Sequence, residues 1–183
     1  MDPKIWGPYV WYNFHILSYT YNDLDQEKYK VMFKSIPYMI PCLTCKEHLK
    51  RSFIKSSPND NIIDRKSIIV WLNNLHNIVN KRLGKKIITL NRAEKIYYNT
   101  DGNLKINHNK MIKFIKLVKN YVSGGINSII FYHGSNILVN YCHLCPCVKC
   151  KKKLVEMLNN YDIKKQGLVK LSNEMIKIVS KCK

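Results

Sequence analysis

The sequence predicts an all-α protein. Apolar residues recur at helical spacing through the first hundred positions, as with Tyr29, Met32, Phe33 and Ile36 at i, i+3, i+4 and i+7. Proline, glycine and polar residues fall where those stripes should start and stop. The flanks of the cysteine pairs lack the strand–helix–strand alternation of a thioredoxin-like fold.

Taken in order, Val10, Phe14 and Leu17 share a helical face with Trp11 beside it. The Tyr29–Ile36 stripe meets Pro37, which predicts a helix that ends early or kinks there. Pro41 suits the start of a third helix, with Cys42, Cys45, Leu49 and Phe53 along one side. Residues 56–61 read as a plain loop. Ile68, Trp71, Leu72, Leu75, Val79 and Leu83 make a long stripe, and Gly84 stands where a C-terminal cap belongs. Asn91 with Glu94 resembles a capping box opening a short fifth helix through Tyr97. Met111, Phe114, Ile115 and Val118 mark a further helix, stopped by Gly124-Gly125. Residues 129–141 fit either a hairpin or a broken helix, while 147–159 and 168–179 read as helices. The expected organisation is a first domain over 1–100, a polar linker over 101–110, and a Cys-rich, mostly helical domain over 111–183.

With 183 residues, of which 46% are hydrophobic and 11% aromatic, the chain can bury a real core and is not disordered. No apolar run is long enough to span a membrane, and the start leaves no room for a cleavable leader. The expectation is a soluble cytoplasmic protein. The net charge is +19, but only four of the 31 Lys and Arg residues are Arg. Base readers favour the bidentate guanidinium, so nucleic acid is not the expected partner.

Chemistry concentrates in cysteine and histidine. Cys42-Leu-Thr-Cys45 can close a small disulfide ring, and a helix start favours the thiolate of its first member. Such a pair exchanges disulfides with an incoming thiolate. It could equally be half of a zinc site, yet the nearest candidates, His48 and His76, make no obvious partner set. Trp6-Gly7, Trp11 and His15 precede the pair; His76-Asn77, Val79-Asn80 and Leu83-Gly84-Lys85 follow it. Singly, Trp11 reads as core and His15 or His76 as a partly buried imidazole. Together, in order, they read as a redox pair beside a flat aromatic cofactor held between helices.

Over residues 4–98 the chain resembles the Erv/Alr family of FAD-linked sulfhydryl oxidases, through Trp6-Gly7, Trp11, His15, Pro41-Cys42-x-x-Cys45, Trp71, His76-Asn77-x-Val79-Asn80 and Leu83-Gly84-Lys85. Its compact size is most similar to the virus-encoded members, which would place it in host cytoplasm or virion. The resemblance implies a four-helix bundle plus a short fifth helix that binds FAD. It implies Cys45 as the flavin-facing thiol and Cys42 as the interchange thiol. Trp6, Gly7, Trp11, His15, His76, Asn77, Val79, Asn80 and Leu83 would surround the cofactor, with Lys81 and Lys85 near its phosphates. Tyr97 falls where the family carries a tryptophan, and Pro8 where it commonly carries an arginine. The implied reaction oxidises protein dithiols, with a thioredoxin-like carrier among the candidate substrates, and passes electrons to molecular oxygen to give hydrogen peroxide. A homodimer is implied too.

Cys142, Cys145, Cys147 and Cys150 crowd four thiols into nine residues, and Cys182 stands near the C-terminus. The leading expectation for the four is a shuttle or auxiliary disulfide rather than a metal. Zinc, with His133 or His143 as extra ligands, is the competing reading. Pro146-Cys147-x-x-Cys150-Lys151 also echoes Pro41-Cys42-x-x-Cys45-Lys46. For the whole chain, the alternative to an oxidase is a basic zinc-binding module contacting nucleic acid.

Overall fold

A computed structural model describes residues 2–125 and 127–182 and is all-α, with no strand among them. Four long helices carry the first hundred residues: α1 (Pro3–Tyr19), α2 (Gln26–Met39), α3 (Leu43–Lys55) and α5 (Arg65–Arg82). A single turn, α4 (Pro58–Asn61), occupies the stretch expected as loop, because Ser57 caps it and Pro58 is pre-set for a first helical position. The short fifth helix is α6 (Leu90–Tyr97). Then follow α7 (His108–Ser123), α8 (Ser128–Leu144), α9 (Val148–Asn159), the one-turn α10 (Ile163–Gln166) and α11 (Leu168–Lys181).

Local chemistry explains the boundaries. Asp64 and Ser67 form a reciprocal capping box at the start of α5. At its far end Gly84 takes φ +64°, Gly84 N–H bonds the Lys81 carbonyl at 3.2 Å, and Lys85 N–H bonds the Asn80 carbonyl at 2.8 Å. That pair of bonds is a Schellman cap, the feature the glycine foretold. The cap of α6 is Thr89 rather than Asn91, since its hydroxyl accepts the Arg92 N–H. Pro37 neither ends nor breaks α2, which runs two residues further. Residues 129–141 are one helix, α8. Its Gly134 marks a close crossing, where a Cβ would strike the Val122 side chain of α7.

A single hydrophobic cluster runs through both halves of the chain. Phe14 of α1 meets Phe33 of α2 (centroids 5.4 Å) and Phe114 of α7 (6.3 Å), and Phe114 meets Tyr141 of α8 (5.2 Å). Helix α2 lies along α8, and α7 packs on both α1 and α11. Buried polar groups fix this register. Asn13, fully buried, accepts the Tyr141 hydroxyl at 2.6 Å and donates to the carbonyls of Tyr9 and Lys110. Ser35 of α2 meets His133 and Asn136 of α8. Satisfied networks of this kind select one packing among several of similar apolar area.

Candidate functional site

Cys42 and Cys45 form a disulfide at the start of α3, with Cα atoms 5.2 Å apart. Cys42 is the helix N-cap, and its sulfur accepts the Cys45 N–H at 3.2 Å. The orphan amides of a first turn create a positive end, so the pair sits where a released Cys42 sulfur is favoured as thiolate. Leu43 and Thr44 between them are exposed, which opens the pair to an incoming thiol. The body of α3 is docked by Phe53 against Trp71 of α5 (5.7 Å), and Trp71 also meets Phe33 of α2 (5.6 Å). The Trp71 indole N–H bonds the Ser56 carbonyl at the end of α3.

Three helices bring the other aromatic candidates together. Trp11 of α1 lies face to face with His76 of α5, centroids 4.0 Å apart and planes 5° from parallel. His15, one turn along α1, places its Nε2 3.0 Å from His76 Nδ1. Tyr97 of α6 stacks on His15, with centroids 5.0 Å apart. The result is a ladder of four flat rings, Trp11, His76, His15 and Tyr97, from residues up to 86 apart in sequence.

The ladder is electrically neutral at physiological pH. Burial lowers His15 to about 3, with His76 adding to the shift. Burial lowers His76 to about 4, with the Lys85 ammonium contributing. One imidazole therefore donates to the other, and neither carries charge. Burial also raises the Tyr97 phenol, which stays protonated. Asn80 is buried below the ladder on α5, while Lys81 and Lys85 are exposed at that end. Flat uncharged faces, buried amides and nearby ammonium groups suit a heteroaromatic group with a sugar and phosphates. On that chemistry the residues fit a dinucleotide such as FAD.

Other expected contacts take different places. Asn77 uses both ends of its amide on Ile88: Nδ2 donates to the carbonyl at 2.8 Å and Oδ1 accepts the N–H at 2.9 Å. Asn73 adds a bond to the same carbonyl. Together they latch the segment leading to α6, and so deliver Tyr97 to the ladder. Trp6 is buried, Val79 half-buried and Leu83 exposed at the α5 cap. At Gly7 a Cβ would meet nothing within 4 Å, so packing does not require a glycine there. A cleft of about 750 Å³ opens between α3 and α5, lined by Arg51, Lys55, Trp71, Asn74 and Ile78. It uses a neighbouring stripe of α5, and none of Trp11, His15, His76 or Cys45 lines it.

The second cysteine group splits. Cys142 is buried within α8, whereas Cys145, Cys147, Cys150 and Cys182 gather elsewhere, none of them in a disulfide. His133 stacks on Tyr38 and bonds Ser35, away from these thiols. The imidazole among them is His108, which polarity had assigned to the linker. No local sequence signal pairs it with cysteines 39 and 42 positions later.

The Erv1 / Alr family model matches residues 8–99. A protein named "Probable FAD-linked sulfhydryl oxidase" from Acanthamoeba polyphaga mimivirus is 32% identical over 98 residues, 51% of this chain and 68% of its own. An FAD-linked sulfhydryl oxidase of African swine fever virus is 30% identical over 96 residues, 50% of this chain and 79% of its own. No solved structure matches the chain. No helix among the described residues is long and apolar enough to cross a membrane.

Proposed function

The chain belongs to the Erv1 / Alr family, and from that premise we propose that it is an FAD-linked sulfhydryl oxidase whose reaction runs through residues 1–100. The observation that carries the reading is the ring ladder. The family-matched Trp11, His15 and His76, with Tyr97, converge from three helices onto one neutral site, in a chain whose α3 opens with a dithiol pair already closed as a disulfide.

An incoming substrate thiolate attacks a sulfur of the Cys42–Cys45 bond and displaces the other as thiolate. The second substrate thiol resolves the mixed disulfide. The substrate leaves as a disulfide, and Cys42 and Cys45 are left as two thiols. The Cys45 N–H and the positive start of α3 hold the Cys42 sulfur as thiolate. FAD, when bound, would supply the two-electron acceptor that restores the disulfide, with Cys45 as the thiol that passes the electrons on and molecular oxygen, reduced to hydrogen peroxide, as terminal acceptor. Trp11, His15, His76 and Asn80 would hold its flat and sugar groups, and Lys81 and Lys85 its phosphates. Asn77 acts through the Ile88 latch that positions Tyr97. Protein dithiols, a thioredoxin-like carrier among them, are the substrate class, and the active form is a homodimer.

The test is direct. The purified protein is expected to be yellow, absorbing near ~450 nm, and to consume oxygen with dithiothreitol. Cys45→Ser should abolish oxygen-linked thiol oxidation while retaining flavin. Turnover that persists in that variant removes the electron path, and a colourless wild-type protein removes the cofactor.

A further inference from the structure

The two Pro-Cys-x-x-Cys-Lys segments are alike in sequence and unlike in their surroundings. Around Cys42 and Cys45 no third ligand-bearing side chain completes a metal set among the described residues. Around Cys147 and Cys150 one does. His108 Nε2, Cys147 Sγ and Cys150 Sγ all lie within 4.8 Å of one another. The His108–Cys147 separation is 3.4 Å. Ligand atoms of a tetrahedral zinc stand roughly 3.5–3.8 Å apart, given metal–ligand bonds of about 2.0–2.3 Å. The three are therefore close to a coordinating arrangement without a change of fold.

A fourth ligand is at hand. The Cys182 thiol, at the C-cap of α11, borders the Cys150 thiol, just outside the group of three that lie within 4.8 Å of one another. Cys145 also borders Cys150, but its sulfur is turned to the Cys147 carbonyl at 3.8 Å. Cys147 is the N-cap residue of α9, with no capping bond from its own side chain. His108 is itself anchored: the N–H of the preceding Asn107 donates to the Tyr12 hydroxyl at 2.6 Å.

We propose that His108, Cys147, Cys150 and Cys182 form a structural zinc site that ties the starts of α7 and α9 to the end of α11. All four positions are protein side chains, so the site is closed and has no place for a substrate. Binding converts one Zn²⁺, three thiols and a neutral imidazole into a Cys₃His complex and releases three protons, with no change of oxidation state. The echo of the redox motif is thus a false friend. The same local segment makes a disulfide where it stands alone and a metal site where tertiary contacts add a histidine and a third cysteine. The proposal is independent of the oxidase reading, because zinc and flavin are measured separately.

The experiment uses the full chain, purified under reducing conditions without chelator, with metal counted by mass spectrometry. The expected content is about one zinc per chain. Replacing zinc by Co²⁺ should give the strong visible bands of tetrahedral cobalt together with sulfur-to-cobalt charge transfer. Cys150→Ser should lose the metal, Cys42→Ser and Cys45→Ser should keep it, and His108→Cys should keep it with shifted cobalt bands. His108→Ala should weaken zinc binding at least roughly tenfold. The cobalt spectrum of the wild-type chain counts the thiolate ligands even if Cys150→Ser fails to fold. A reduced wild-type protein that takes up neither metal overturns the proposal. So does full zinc retention in Cys150→Ser, or a disulfide among Cys145, Cys147, Cys150 and Cys182 in protein that cannot be loaded after reduction.

Discussion

The buried imidazole pair makes stability fall steeply in mild acid. In the unfolded chain His15 and His76 titrate near the ordinary value of about 6.5. In the native protein burial holds them at about 3 and about 4. Between those limits the unfolded state binds protons that the native state refuses, so stability is full above about pH 6.5 and is lost as pH drops towards 4. Each imidazole contributes a slope of about 1.4 kcal/mol per pH unit inside the window, about 2.7 kcal/mol for both. Lys85 beside His76 works in the same direction, and the rings of Trp11 and Tyr97 bring no counter-charge. The assay is urea unfolding of the full chain at half-unit steps from pH 7 to pH 4.5, against His76→Phe. Phenylalanine keeps a flat face for Trp11 but cannot titrate. The variant is expected to be less stable at pH 7, since His15 loses its partner at 3.0 Å, and its slope should be shallower than the wild-type slope by about 1.4 kcal/mol per pH unit. His133, His143 and the carboxylates are common to both proteins and cancel in the difference. Parallel curves for the two proteins would refute the argument, because the pair would then not be the group resisting protonation.

Two further outcomes follow from the packing. Tyr141→Phe strands the Oδ1 of the fully buried Asn13. It should cost about 1–3 kcal/mol and lower Tm by roughly 3–10 °C for a chain of this size; an unchanged Tm in calorimetry would mean that Asn13 finds another donor. A chain ending at Asn103 loses α7 and α8, which cover α1 and α2. It is expected to be insoluble or flavin-free on gel filtration, and a monodisperse yellow fragment would show that 1–100 folds alone.

Much of the first hundred residues was legible because helix formation and capping are local. A stripe such as Ile68–Leu83 reports its own buried face, and Gly84 its own cap, whatever packs against them. Candidates for the site could be picked out where a motif fixes both residue type and spacing, as in Cys42-x-x-Cys45, which closes a disulfide, and His76-x-x-x-Asn80. Local reading failed where a neighbour from elsewhere supplied the missing term. Residues 129–141 read as a hairpin or a broken helix, but they lie in one helix whose Gly134 serves a crossing with Val122. Asn77 was grouped with the residues around the cofactor, and no local pattern foretold that its amide also holds Ile88.

By itself, then, the sequence determined the helices, the dithiol at the head of α3 and the candidates for a flat cofactor, since periodicity, caps and spacing act within a few residues. Only the tertiary structure decided which rings stack, that α2 is covered by α8, and that His108 stands beside Cys147 and Cys150. Those facts depend on burial and hydrogen bonding between segments tens of residues apart, and no local pattern along the chain records them.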